Sequence, residues 1–120
     1  MAGFSASQWV GVSENPIPSG SVTASGNGGA GSGYGAATSL RAQLNVTAAS
    51  GTTPTLDVVI EDSVDGGVTW NTVGTFTQKT AAAREVITVT NPFGDSLRVR
   101  WTVGGTTPNF TFAVHWVAQA

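Results

Sequence analysis

The chain of 120 residues has no cysteine and one histidine, His115, and only 10 % of its residues are charged, against roughly 25 % in an average soluble domain. Without cysteine there is no disulfide scaffold, thiol nucleophile, iron–sulfur site or cysteine-ligated zinc, and one histidine cannot build a multi-histidine metal site. No catalytic residue, cofactor or metal is therefore expected, and the chain does not read as an enzyme. Five basic and seven acidic residues leave a net charge of −2. That balance offers no field for nucleic acid phosphates or for an anionic membrane, so neither is expected as a partner. No run approaches the ~20 consecutive apolar residues of a membrane-spanning helix. Met1 to Val12 shows neither a basic n-region nor a useful apolar h-region. Synthesis and first folding in a cytoplasm are expected on that ground.

The residues that are present divide the chain in two, an N-terminal arm over 1–37 and a β-domain over 38–120. From Pro18 to Ala37 nearly every residue is Gly, Ser, Ala, Thr or Asn. Such a composition behaves as flexible coil in isolation and is not expected to supply a core. Ahead of it lie Phe4, Trp9, Val10, Val12 and Ile17, too apolar for a solvated tail and too few to fold alone. Either this segment docks on a neighbouring surface or it covers the chain's own β-domain. Phe4, Trp9, Val10 and Ile17 are the candidate partner-binding residues, with Trp9 the best intermolecular anchor.

From Thr38 onward apolar residues alternate with polar ones, and β-branched runs are bounded by Gly, Pro, Asn and Asp. Runs at 40–46, 56–61, 69–77, 84–90, 96–103 and 109–117 predict six short strands. The expected fold is all-β, a single antiparallel β-sandwich of jelly-roll or immunoglobulin-like topology, with no helix beyond a turn at Thr80 to Arg84. An echo runs through it. Leu40-Arg41-Ala42-Gln43-Leu44 leads to Gly51-Thr52-Thr53-Pro54, and Leu97-Arg98-Val99-Arg100-Trp101 leads to Gly105-Thr106-Thr107-Pro108. These read as two similar hairpins, with each Pro at a strand's start, where it removes no ladder bond. Arg41 then takes the place in the first that Arg98 takes in the second.

Ser63-Val64-Asp65-Gly66-Gly67-Val68-Thr69-Trp70 resembles the Asp-box turn of sialidase propellers, in which Asp and Ser bond the loop backbone and the aromatic ring packs beneath. One copy in 120 residues makes it a fold element; its other reading is a glycan-contact loop. Asp57 and Glu61 lie four apart on a strand, ~13 Å, too far for a paired acid–base mechanism. The spacing at Asp62 and Asp65 lacks the alternating oxygens of a calcium loop. Arg98 and Arg100 share one strand face with Arg41 on its equivalent. They either pair across strands with Asp57, Glu61 or Asp95 or form a docking face for an acidic partner. His115 reads as a half-buried or interface residue.

With Leu44-Asn45-Val46-Thr47, Gly51 to Val58, Asp62 to Trp70, Phe93-Gly94 and Val103 to Phe112, the chain resembles small β-rich virion proteins of tailed bacteriophages over about 40–120. The resemblance implies a place in the particle and carries over no catalytic residue. A capsid decoration or cement protein is the leading expectation, made in the host cytoplasm and placed on the capsid surface of the virion. Its partners would be the major capsid protein and copies of itself, a trimer being one candidate. The alternative is a receptor- or glycan-binding module of a tail or baseplate, using the loops near Asp65 and Trp70.

Overall fold

A computed structural model of the chain describes residues 12–90 and 94–119. Among the described residues six strands follow one another: β1 (Val12–Val22), β2 (Gly26–Asn27), β3 (Ser39–Ser63), β4 (Asn71–Thr75), β5 (Ala83–Thr90) and β6 (Ser96–Gln119), with a 3-10 turn at Tyr34–Ala36. All pairings are antiparallel.

Strand length dictates the architecture. At about 3.3 Å per residue, the 25 residues of β3 would extend some 80 Å if straight. The longest dimension of the molecule is 49 Å. Both β3 and β6 therefore fold over, and they do so together, where the register slips between Ser50 and Thr55. The halves end up in opposite layers. Sheet I contains β1, the second half of β6, the first half of β3 and β5; sheet II contains β2, the first half of β6, the second half of β3 and β4. The result is the expected antiparallel β-sandwich.

Alternation along the two long strands fills the space between the layers. Leu40, Ala42, Leu44 and Val46 face Leu56, Val58 and Ile60 from the same strand, and Leu97 and Val99 face Phe110, Phe112, Val114 and Trp116; all are buried. Trp101 of sheet II meets Phe112 of sheet I edge to face at 5.7 Å, and Gly74 of β4 lies under Ile87 and Val89 of β5. Each fully buried aliphatic or aromatic side chain contributes about 1.5–3 kcal/mol.

The pairing has an internal two-fold. β1 and β2 pair with β6, while β4 and β5 pair with β3. Exchanging β1 with β4, β2 with β5 and β3 with β6 leaves the scheme unchanged, and Thr52 opposite Thr106 sits on the axis. The chain is thus two three-stranded units, each laying its short strands on the long strand of the other.

Three expectations change here. First, the repeated motifs are not two hairpins, because β3 and β6 run through them without ending. Gly51 and Gly105 at φ 113° and 104°, with Thr53 and Thr107 at φ 46°, turn the main chain while Thr52 and Thr106 keep their pairing. Pro54 and Pro108 lie inside strands, where the slipped register keeps them out of the ladder. Second, Arg41 is not the register equivalent of Arg98. Gln43 lies opposite His115 as Arg98 lies opposite Glu61, because β3 has an extra residue at the irregularity between Val46 and Ala48. Third, no break in the sheets falls between residues 37 and 38. β1 pairs with β6, Gly28 and Gly31 donate backbone hydrogen bonds to Val99 and Leu97, and Tyr34 and Ala37 belong to the core. A segment poor in side chains still carries a full set of backbone donors and acceptors, and β6 satisfies them.

The fold-over is tightly built. A Cβ on Gly105 would lie 2.6 Å from the Thr53 carbonyl oxygen, and one on Gly51 2.7 Å from that of Thr107. Gly105→Ala should therefore lower stability by about 2–4 kcal/mol, combining a left-handed backbone with a backbone collision. Gly29→Ala, which meets nothing within 4 Å, should change it by no more than about 0.5 kcal/mol. Urea denaturation of both variants checks the pair, and equal effects would contradict this reading of the corner.

Candidate interaction surfaces

The turn after β3 forms as its sequence predicts. The Asp65 carboxylate accepts hydrogen bonds from the backbone N–H of Val68 and Thr69 at 3.1 and 2.9 Å and from the hydroxyls of Ser63 and Thr69. Ser63 Oγ accepts from the Gly67 N–H at 2.8 Å, and Gly66 and Gly67 take positive φ. Hydrogen bonding led by Thr69 holds the Asp65 carboxyl far below the usual carboxylate range, so it remains ionised. Trp70 closes the turn, donating from Nε1 to the Gly67 carbonyl at 3.2 Å.

Beside this turn, the outer face of sheet II pairs its arginines with an acid of the same face. Glu61, across from Arg98 in the ladder, accepts from Arg98 Nε at 2.8 Å and from Arg100 Nε at 2.9 Å. The Arg98 guanidinium lies 4.2 Å from the centre of the Trp70 ring. Of the readings open to Arg98 and Arg100, cross-strand pairing is therefore the one found, with Glu61 as the partner. Trp70 is held between this guanidinium and the turn.

The remaining acids are also engaged. Asp95 accepts from the backbone N–H groups of Gly33 and Gly35 and so fixes the loop that carries Tyr34. Asp62 is buried and accepts from the Gly94 N–H at 2.6 Å. Asp57 accepts from the Gln78 amide. Glu85 pairs with buried Lys79, which also donates to the Thr77 carbonyl. Tyr34 accepts from Trp116 Nε1 at 3.3 Å and donates to Glu14, forming a chain at the floor of a polar recess of about 400 Å³ between β1 and the 29–31 segment. Burial first, and the Glu14 carboxylate second, raise the Tyr34 hydroxyl well above its ordinary value. The Lys79–Glu85 and Tyr34–Glu14 pairs had no signature in the sequence, since each joins segments whose approach only the fold determines.

The outer face of sheet I differs. Arg41 and Gln43 on β3, Val86 on β5 and His115 and Val117 on β6 surround a shallow hollow of about 220 Å³. His115 is exposed on this face, not half-buried, because outward positions alternate with buried Val114 and Trp116. Ile17 lies on β1 opposite Val114 and packs on the chain's own core. Phe4, Trp9 and Val10 lie outside the described residues. Among the described residues no group of three or more His, Asp or Glu is placed to hold a metal ion.

Burial alone would raise the Glu61 carboxyl; hydrogen bonds from Arg100 and Arg98 outweigh it and hold the group below 4.5. A lowered carboxyl contributes stability that is complete above the unfolded value and is lost as pH falls through the folded one. Glu61→Gln should destabilise the protein by about 1–3 kcal/mol at neutral pH and flatten the fall in stability below pH 4.5. Denaturation midpoints measured across that range check this; an unchanged acid slope would contradict it.

No protein-family model and no curated protein sequence matches this chain. Solved structures do. The PBSX exported protein XepA superposes with a TM-score of 0.65 at 15 % identity over 91 % of this chain, which spans only 37 % of XepA. The CBM36-1 domain of a multidomain xylanase from the hindgut metagenome of Trinervitermes trinervoides superposes at 0.52 and 12 % identity, covering 92 % of this chain and 98 % of that domain. A subunit of the disulfide-linked pili that form Bacillus endospore appendages gives 0.51 at 16 % identity, over 100 % of this chain and 96 % of its own. At these identities the likenesses establish the fold: a β-sandwich found in secreted, carbohydrate-binding and appendage proteins alike.

Proposed function

We propose that this chain is a structural protein of a tailed-phage virion, and that its specific role is decoration of the capsid, binding the major capsid protein and stabilising the shell. The observation that carries this reading is the use of the charges. Nearly every acidic side chain among the described residues holds a turn, a loop or an ion pair of its own fold. What remains outward is a compact sandwich with a low-charge surface, suited to being covered by neighbours. The resemblance to phage virion proteins over about 40–120 supports the same assignment, and so does the likeness to XepA. A sandwich of this kind also builds the endospore appendage. There the links are disulfides; this chain has no cysteine, so its contacts would be non-covalent.

Because residues 12–22 are strand β1 of the chain's own sheet, a docking arm would consist of residues 1–11, with Phe4, Trp9 and Val10 as its anchors. Val12 pairs with Ala118, one residue before β6 ends at Gln119. Backbone pairing and apolar burial on a shell subunit would supply the arm's affinity.

A second reading is a glycan-binding module of a tail or baseplate, favoured by the match to nearly all of the CBM36-1 domain. The occupied Trp70 ring weighs against it.

Deleting residues 1–11 should leave the β-domain folded and reduce co-sedimentation with empty shells about tenfold or more, the loss of one or two anchor residues. Unchanged attachment would refute the arm. Binding to a glycan array with no attachment to shells would favour the second reading.

A further inference from the structure

Three large apolar side chains are conspicuously exposed among the described residues: Val64 at 76 %, Val68 at 79 % and Val86 at 42 %. They occupy two places. Val64 and Val68 flank the tip of the Asp65 turn, and Val86 lines the hollow on sheet I beside Val117. The two places are also opposite in charge. Arg41 and Arg84 point outward from sheet I with His115, and no carboxylate among the described residues shares that face. The turn carries Asp65, ionised and exposed.

We propose that the hollow on sheet I receives the 63–70 turn of a second copy of this chain. Val64 and Val68 would pack on Val86 and Val117, and Asp65 would lie near Arg41. The turn is preorganised: five hydrogen bonds to Asp65 and Ser63 already fix its backbone, so docking it loses little conformational entropy. It also belongs to the other side of the sandwich, since Trp70 rests on Arg98 of sheet II. The 63–70 turn of one molecule therefore does not reach the hollow of the same molecule. The contact is therefore head to tail, and each added copy presents a fresh turn and a fresh hollow, which yields a ring or a row and not a closed pair. The internal two-fold does not cancel this polarity, because the register equivalent of His115 is Glu61 and the two outer faces have diverged in charge.

The test uses the full chain in sedimentation velocity, with folding of each variant verified by circular dichroism. Wild type should show a mass that rises with concentration up to the millimolar range. Arg41→Glu, which disables the hollow, and the double variant Val64→Asp/Val68→Asp, which disables the turn, should each associate at least about tenfold more weakly. Val86→Asp provides a second variant of the hollow. Mixed in equal amounts, a hollow variant and the turn variant each keep one working half, and should form a complex that stops at two chains. A wild type monomeric at millimolar concentration would overturn the proposal, as would variants that associate like wild type or a mixture that forms no complex. The shell-binding reading is separate: a monomer that still attaches to shells overturns this contact alone.

Discussion

The whole structure depends on two long strands pairing with each other through a shared fold-over. β3 and β6 form one antiparallel ribbon whose two halves become the centres of opposite sheets. Every other strand is an addition to this ribbon. Glycines with positive φ at positions 51 and 105, and threonines with positive φ at 53 and 107, let the main chain reverse while the ladder continues. A β-branched residue in that conformation is strained. Thr53 and Thr107 are held there because each turn packs its backbone against the other, as the short distances from Gly51 and Gly105 show.

The same ribbon sets the electrostatics. Inward positions of a strand pair must be apolar, so the few charges fall on outer faces and in the loops that close the ends. On sheet II the pleat brings Glu61 beside Arg98 and Arg100, and one carboxylate is shared by two guanidinium groups. On sheet I the corresponding position holds His115, and Arg41 remains outward with no acid on its face among the described residues. The two layers share a backbone scheme but not a surface.

Much of this was legible in the sequence. Period-two alternation in 40–46, 56–61, 84–90, 96–103 and 109–117 located the strands, since burying one face of a sheet leaves that pattern wherever it occurs. Ser63, Asp65, Gly67 and Trp70 announced their turn because its hydrogen bonds are local. The strands of residues 12–31 were not legible. Their place in the sheets rests on backbone pairing with β6, which glycine and serine provide without any side-chain signal. Likewise Lys79 with Glu85, and Tyr34 with Glu14 and Trp116, are joined by proximity that no local pattern encodes.

By itself, the sequence determined the absence of thiol chemistry and of multi-histidine metal sites, the all-β class, the Asp65 turn and the duplication marked by Gly-Thr-Thr-Pro. Each of these follows from composition or from neighbours within a few residues. The tertiary structure alone decided that the two motifs meet as one corner and not as two hairpins, that the glycine-rich segment is an edge of the sandwich, and which arginines pair with an acid. These are matters of register and approach between residues far apart in the chain: shifting a strand by two residues preserves the alternation that the sequence displays while changing every partner across the ladder.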